Sequence, residues 1–222
     1  MRFLTPDHGL VAGYVRGGRS RTLRPVLQSG NGVALTLRAR VDTQLAVATV
    51  EATAARAALA TSAAGLATLA WLTGLTAVAL SEAVPHPALY RTLAAIIDAV
   101  AQGASALPLA EAVVRYEHLM LDELGLGLDL TRCAATGENK ELIYVSPKSR
   151  QAVSRAAGEP WAARLLPLPA FLLADTPADA AAVHDGLQLT RHFLEADVLA
   201  GRGRDLLDAR ERLAARLPPR YA

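Results

Sequence analysis

Gly30-Asn31-Gly32-Val33-Ala34-Leu35-Thr36-Leu37-Arg38-Ala39-Arg40 alternates its side chains with a period of two. That period is the mark of a half-buried β-strand. It sets Val33, Leu35, Leu37 and Ala39 on one face and Thr36, Arg38 and Arg40 on the other. Gly30-Asn31-Gly32 before it reads as a turn between strands. Working outward, Leu10 to Arg16 is a second strand, with Tyr14 and Arg16 on the same side. Gly17-Gly18 leaves it in a mobile loop, and Thr43 to Glu51 is a third strand. Short strands joined by Gly-rich turns are the pattern of a small barrel such as an OB-fold.

The charge of this region differs from that of the rest. Residues 1–41 hold seven arginines (Arg2, Arg16, Arg19, Arg21, Arg24, Arg38 and Arg40) and one acid, Asp7. The whole chain has 23 Lys and Arg against 21 Asp and Glu, so the remainder carries 16 basic and 20 acidic side chains. A basic head thus sits on a mildly acidic body. Concentrated positive charge attracts polyanions, because binding releases the counterions condensed on phosphate. The competing reading is that these arginines are ordinary solvated loop residues.

After Glu51 the pattern changes. The 222 residues are 52% hydrophobic but only 5% aromatic, a composition that favours packed helices. Ala57 to Ser81 is uncharged and long enough to span a bilayer, but it is rich in Ala, Thr, Ser and Gly and has no polybasic flank. It reads as a buried helix up to about Glu82, with Gly65 and Gly74 as points of weakness. Pro87 suits the start of a helix ending at Gly103, and Pro108 opens another that stops at Gly125. Thr176-Pro177-Ala178-Asp179 reads as an N-cap, an N1 proline and an N3 acid, opening a helix to about Ala200. Between them, Leu142 to Tyr144 and Gln151 to Ser154 flank Pro147-Lys148-Ser149-Arg150 as a short hairpin. The expected architecture is α+β: residues 1–52 form an OB-fold-like DNA-binding domain, and residues 53–222 a helical domain with a hairpin insert at about 126–158.

Catalytic signatures are missing. The chain has no P-loop, and Gly125-Leu126-Gly127 lacks the third glycine of a dinucleotide site. His184 and His192 lie eight apart on one predicted helix and point in different directions, a poor metal pair. A single cysteine, Cys133, forms no internal disulfide and fits a reducing cytosol. A hydrolase or transferase using Cys133 or a histidine is the enzymatic alternative, and the sequence argues against it. Binding remains. An arginine loop (Arg16, Arg19, Arg21, Arg24) beside a strand face with Arg38 and Arg40 suits a nucleic-acid backbone, with Tyr14 placed to stack on a base. The alternative from another class is a helical protein-interaction adaptor without direct DNA binding.

Thr5-Pro6-Asp7-His8-Gly9, Val15-Arg16-Gly17-Gly18-Arg19-Ser20-Arg21 and Leu27-Gln28-Ser29-Gly30 resemble the N-terminal domain of the RecO family of bacterial recombination mediators. The likeness continues in His86-Pro87-Ala88-Leu89-Tyr90, Arg115-Tyr116-Glu117 and Glu123-Leu124-Gly125-Leu126-Gly127-Leu128-Asp129-Leu130. It runs on through Cys133-Ala134-Ala135-Thr136-Gly137, Tyr144-Val145-Ser146-Pro147-Lys148-Ser149 and Leu166-Pro167-Leu168-Pro169, in the family's order. The resemblance implies a DNA repair role in the RecF pathway, in the cytoplasm at the nucleoid. It implies binding of single- and double-stranded DNA, annealing of complementary strands and, with RecR, loading of RecA onto strands coated by the single-strand-binding protein SSB. The acidic SSB tail needs a cation beside apolar surface, and Arg115 is the residue expected to supply it; an i, i+4 ion pair with Glu111 is its alternative role. No membrane, nucleotide or cofactor enters this picture.

Two departures from the family pattern stand out. Many relatives carry a four-cysteine zinc module; here Cys133 keeps the first position, and Thr136, Ser154 and Ala157 fill the others. One thiolate does not make a structural zinc site, so the module is expected to be metal-free. The family also has about a strand and a half before its Thr-x-x-His-Gly motif, so the barrel is expected to lack its first strand.

Overall fold

The computed structural model describes residues 1–41, 44–174, 176–200 and 204–220, and of Arg204 the backbone alone. The chain is a mixed α+β protein of two compact units, Met1–Ser105 and Ala106–Ala222. The division falls at Ser105 and not near residue 52, because two of the helices pack with the strands before them.

In the first unit, β1 (Arg2–Thr5) and β2 (Gly9–Ala12) form an antiparallel hairpin. Its turn is the Thr5-Pro6-Asp7-His8-Gly9 motif. The Thr5 hydroxyl accepts from the His8 N–H at 3.1 Å and donates to the Gly9 carbonyl at 3.0 Å. Gly9 has φ +65°, and a Cβ there would lie 2.0 Å from the Val84 carbonyl oxygen, so only glycine fits. The strand expected over Leu10 to Arg16 is broken at Gly13, where a Cβ would press within 2.8 Å of the Ala48 methyl. Past the break, β3 (Tyr14–Val15) joins a different sheet, followed by the single-turn α1 (Leu23–Val26), β4 (Gly32–Arg38) and β5 (Val47–Ala54). The order is β3-β5-β4, parallel then antiparallel. The third strand, expected over Thr43 to Glu51, is β5 at Val47–Ala54; Thr43 of that reading lies outside the described residues.

Helix α2 (Ala63–Ala79) runs unbroken through Gly65 and Gly74 but opens only after Ser62, whose hydroxyl caps the Gly65 N–H at 3.0 Å. Its buried side carries Leu69, Trp71, Leu72 and Leu75, while Leu66 and Ala70 form part of an exposed apolar side, so its sequence shows no polar face. Gly65 is required for close approach to α3 (Pro87–Ala101): a Cβ would lie 2.9 Å from Val100 Cγ1. Trp71, Leu72, Leu75 and Leu89 form the centre of this core. Among the described residues, no helix is long and apolar enough to cross a membrane.

In the second unit, α4 (Ala106–Glu123) ends at Gly125, whose φ of +73° and the Leu126 N–H to Leu121 carbonyl bond at 2.8 Å close the helix as expected. The hairpin forms: β6 (Leu142–Val145) pairs with β7 (Ala152–Ser154), and a short β8 (Leu166–Pro167) flanks β6 on its other side. One turn, α5 (Arg155–Gly158), follows β7. Arg150 ties the hairpin tip down, donating to the Leu126 carbonyl at 2.9 Å, pairing with Asp197 and covering the Phe193 ring. Helix α6 (Ala180–Phe193) is capped by Asp179, which accepts from the Ala182 N–H at 2.8 Å, and not by Thr176. Pro177 holds the chain extended, so the carboxylate next to the first turn takes the capping role. At Phe193 the α-helix gives way to a wider π-turn over Leu194–Leu199. A further helix, α7 (Arg204–Ala214), packs on α4 and brings a buried arginine to the core.

Candidate nucleic-acid interface

Although β3 is only two residues long, it fixes the register of the exposed sheet face. Tyr14 pairs with Val47, and Val47 pairs in turn with Arg38. Directly paired residues point the same way, so Tyr14, Val47 and Arg38 form one row across three strands. Thr36 with Thr49, then Ala34 with Glu51, form the next rows along that face. The opposite face carries Leu35 with Val50 and Leu37 with Ala48, and Ala48 and Val50 are buried. Tyr14 is 57% exposed, unusual for a large aromatic ring. Glu51 is the one acid on the described rows. It lies four residues from Arg38 along the strand, about 13 Å, which exceeds the screening length of about 8 Å at physiological salt.

The arginine loop begins where β3 ends. Gly17 has φ +68° and open space around it, so the turn and not crowding demands glycine. The Ser20 N–H donates to the Gly17 carbonyl at 2.8 Å, and the Leu23 N–H to the Ser20 hydroxyl at 3.2 Å, leading into α1. The segment is therefore a series of hydrogen-bonded turns. Asn31 anchors it: its amide donates to the Pro25 carbonyl at 2.8 Å and the Val26 carbonyl at 3.2 Å, while its oxygen accepts from the Ala57 N–H at 2.8 Å. Sequence reasoning reads Asn31 only as a turn residue; its position between two glycines was the available signal.

Arg16, Arg19, Arg21, Arg24, Arg38 and Arg40 are all exposed, and among the described residues none joins an ion pair. They are free to meet an external anion. Strand β4 ends at Arg38, so Arg40 lies two residues beyond the ladder and is not held on the sheet face as its period-two position suggests.

The second unit holds the other residues singled out by sequence. Arg115 donates to Glu111 at 2.9 Å and lies over the Phe171 ring, 5.2 Å from its centre. Cys133 is buried, and its Sγ accepts from the Ser154 N–H at 3.3 Å. Burial pushes this thiol up, but hydrogen bonds from the Ser154 and Thr136 side chains and from the Ser154 and Ala135 backbone outweigh it, bringing the pKa down to about 6. Three of the four module positions, Cys133, Thr136 and Ser154, thus meet as hydrogen-bond partners. One sulfur, two hydroxyls and the methyl of Ala157 do not fit a structural zinc ion.

A buried ionic cluster escapes sequence reasoning altogether. Arg210 grips Glu117 with Nε to Oε1 at 2.7 Å and Nη2 to Oε2 at 2.8 Å. It also donates to the Leu187 carbonyl at 2.7 Å, and the Thr190 hydroxyl donates to Glu117. The only local signal is that Glu117 lies on the apolar stripe of α4 with Val113 and Met120.

A family model described as "Recombination protein O C terminal" matches residues 61–204. The DNA repair protein RecO of Rhodospirillum rubrum is 47% identical over 219 residues, covering 96% of this chain and 87% of the relative. The proteins of the same name from Afipia carboxidovorans and Sinorhizobium medicae are 46% and 45% identical, covering 95% and 94% of this chain and 85% and 83% of theirs. With likeness of this extent running through both compact units, the chain belongs to the RecO family of DNA repair proteins.

Proposed function

We propose that this protein is a non-catalytic DNA repair and recombination mediator of the RecF pathway, which grips DNA on the face of its N-terminal sheet. The observation that carries this reading is the row Tyr14–Val47–Arg38, bordered by four exposed arginines that are free of ion pairs among the described residues. An aromatic ring offers a π-face to any base, and the arginines follow the phosphates, so binding is weakly sequence-specific and depends strongly on salt. The five strands of the first unit are read as an OB-fold-like barrel in that role. Single- and double-stranded DNA both fit a surface that reads backbone charge. The arginines that hold two strands side by side also support annealing.

The partners proposed, in keeping with family membership, are RecR, with which RecA is loaded, and the acidic tail of SSB, for which Arg115 is the proposed cation. That work belongs to the cytoplasm at the nucleoid, which is the location proposed. The module around Cys133 works without metal, its hairpin held by hydrogen bonds and packing. The test is affinity for a fluorescent oligothymidylate measured across salt concentrations. Binding that falls steeply with salt supports the reading; absent or salt-independent binding overturns it in favour of a protein-interaction adaptor.

A further inference from the structure

The second unit displays a tryptophan on its surface. Trp161 is 57% exposed, on a 3-10 turn (Glu159–Arg164) whose six residues are all exposed. The turn is nevertheless fixed at both ends to β6. At its start, Gly158 presses on Tyr144: a Cβ there would lie 2.4 Å from the ring carbon Cδ2. At its end, the Leu165 N–H donates to the Ala162 carbonyl at 3.2 Å, and β8 then pairs Leu166 with Val145 and Pro167 with Tyr144. Residues three apart eclipse one another in such a turn, so Arg164 stands over Trp161, its guanidinium carbon 5.8 Å from the ring centre. Glu159, two residues before the tryptophan, projects from another side of the turn. Among the described residues, Arg164 joins no ion pair.

We infer that Trp161 and Arg164 form a second contact for single-stranded DNA, on a different unit from the sheet face. A base stacks on the open face of the indole, and a phosphate meets the guanidinium. The inference deepens the DNA-binding reading and rests on it. One face of the ring carries the cation, and the exposure of the side chain leaves the other free. A π-face beside an unpaired cation is what a base and its phosphate need, whatever the sequence. Docking of a protein asks for more, since a tryptophan hot spot works inside an apolar surround that excludes water. The companions of Trp161 on this turn are Glu159, Pro160, Ala162, Ala163 and Arg164, which are small or charged. They suit a strand that touches the ring alone.

The test is tryptophan fluorescence of the full-length protein titrated with oligothymidylate. The chain has two tryptophans, and Trp71 is fully buried, so a change on binding reports Trp161. Saturable quenching is expected, together with protection of the indole from acrylamide. Both residues are exposed, so replacing either leaves the core intact. Trp161→Ala should abolish the quenching, and Arg164→Ala should move its midpoint to about tenfold more DNA, as for a lost charge-assisted contact. Replacing Arg16, Arg19, Arg21 and Arg24 together by Ala should leave the quenching intact at saturation. Its loss in that variant overturns the inference, because the indole would then only sense DNA held by the first unit. Binding seen by fluorescence polarisation without quenching overturns the inference alone; no binding at all removes the DNA-binding reading with it. Quenching by an acidic peptide and not by oligothymidylate also overturns it, by assigning the turn to a protein partner.

Discussion

Arg210 and Glu117, 93 positions apart, form a two-pronged ion pair in the interior of the second unit, at 2.7 and 2.8 Å. Glu117 is fully buried and Arg210 is 4% exposed. Removing one charge strands the other away from water, which costs about 3–5 kcal/mol. Arg210→Ala is therefore expected to lower the unfolding free energy by that amount in urea titrations. The double variant Glu117→Leu with Arg210→Met should lose much less, because no lone charge remains. Equal losses in the two variants would show that the packing of the arginine stem, and not its charge, holds α7.

The Cys133 thiol is held down to about 6 from an ordinary value of 9.0. Its charged form is favoured in the folded chain, so its contribution to stability is complete above the unfolded value and is lost as pH falls through about 6. Stability should therefore rise with pH between these values, and Cys133→Ala should flatten that rise. The ultraviolet absorbance of the thiolate should titrate with a midpoint near the lower value. A midpoint near the ordinary one would mean that Ser154 and Thr136 do not stabilise the anion.

Tyr14 and Arg38 contribute different things from the same row. Tyr14→Ala should weaken single-strand binding by about 1–3 kcal/mol, the loss of one stacked base, and leave duplex binding nearly unchanged. Arg38→Ala should weaken both and flatten the salt dependence by about 0.7 on single strands and about 0.9 on duplex. Identical effects of the two substitutions on both forms of DNA would remove Tyr14 from the stacking role.

Arg115 is tied to Glu111 in an i, i+4 ion pair at 2.9 Å and covers the Phe171 ring. If it also receives the SSB tail, Arg115→Ala should weaken binding of the tail peptide by about 1.5–3 kcal/mol, as expected for a charge-assisted hydrogen bond. An i, i+4 helix ion pair typically adds only about 0.3–0.5 kcal/mol to stability. Fluorescence polarisation of the labelled tail peptide decides it: unaltered affinity takes Arg115 out of the site.

What was legible in the sequence was local. Strand β4 was readable because Val33, Leu35 and Leu37 alternate with Thr36 and Arg38, and the ends of α3 and α4 because Pro87 and Gly125 act through their own backbone. The break at Gly13 was not readable: the Ala48 methyl that demands glycine there lies across the sheet, a neighbour with no local trace. Helix α7 went unread because its sequence is dominated by Arg, Asp and Glu, and its anchor is Arg210 turned inward. The arginine loop was recognised by composition, but its fold depends on Asn31, whose amide reaches back to Pro25 and Val26 and whose oxygen reaches forward to Ala57. In each case the missing information was a long-range partner.

If the exposed arginines after β3 neutralise DNA phosphates, the slope of log affinity against log salt reports it. Replacing Arg16, Arg19, Arg21 and Arg24 together by Ala should reduce the slope on oligothymidylate by up to about 0.7 for each phosphate left without its arginine, with the fold unchanged by circular dichroism. An unchanged slope and affinity in that variant would contradict the account.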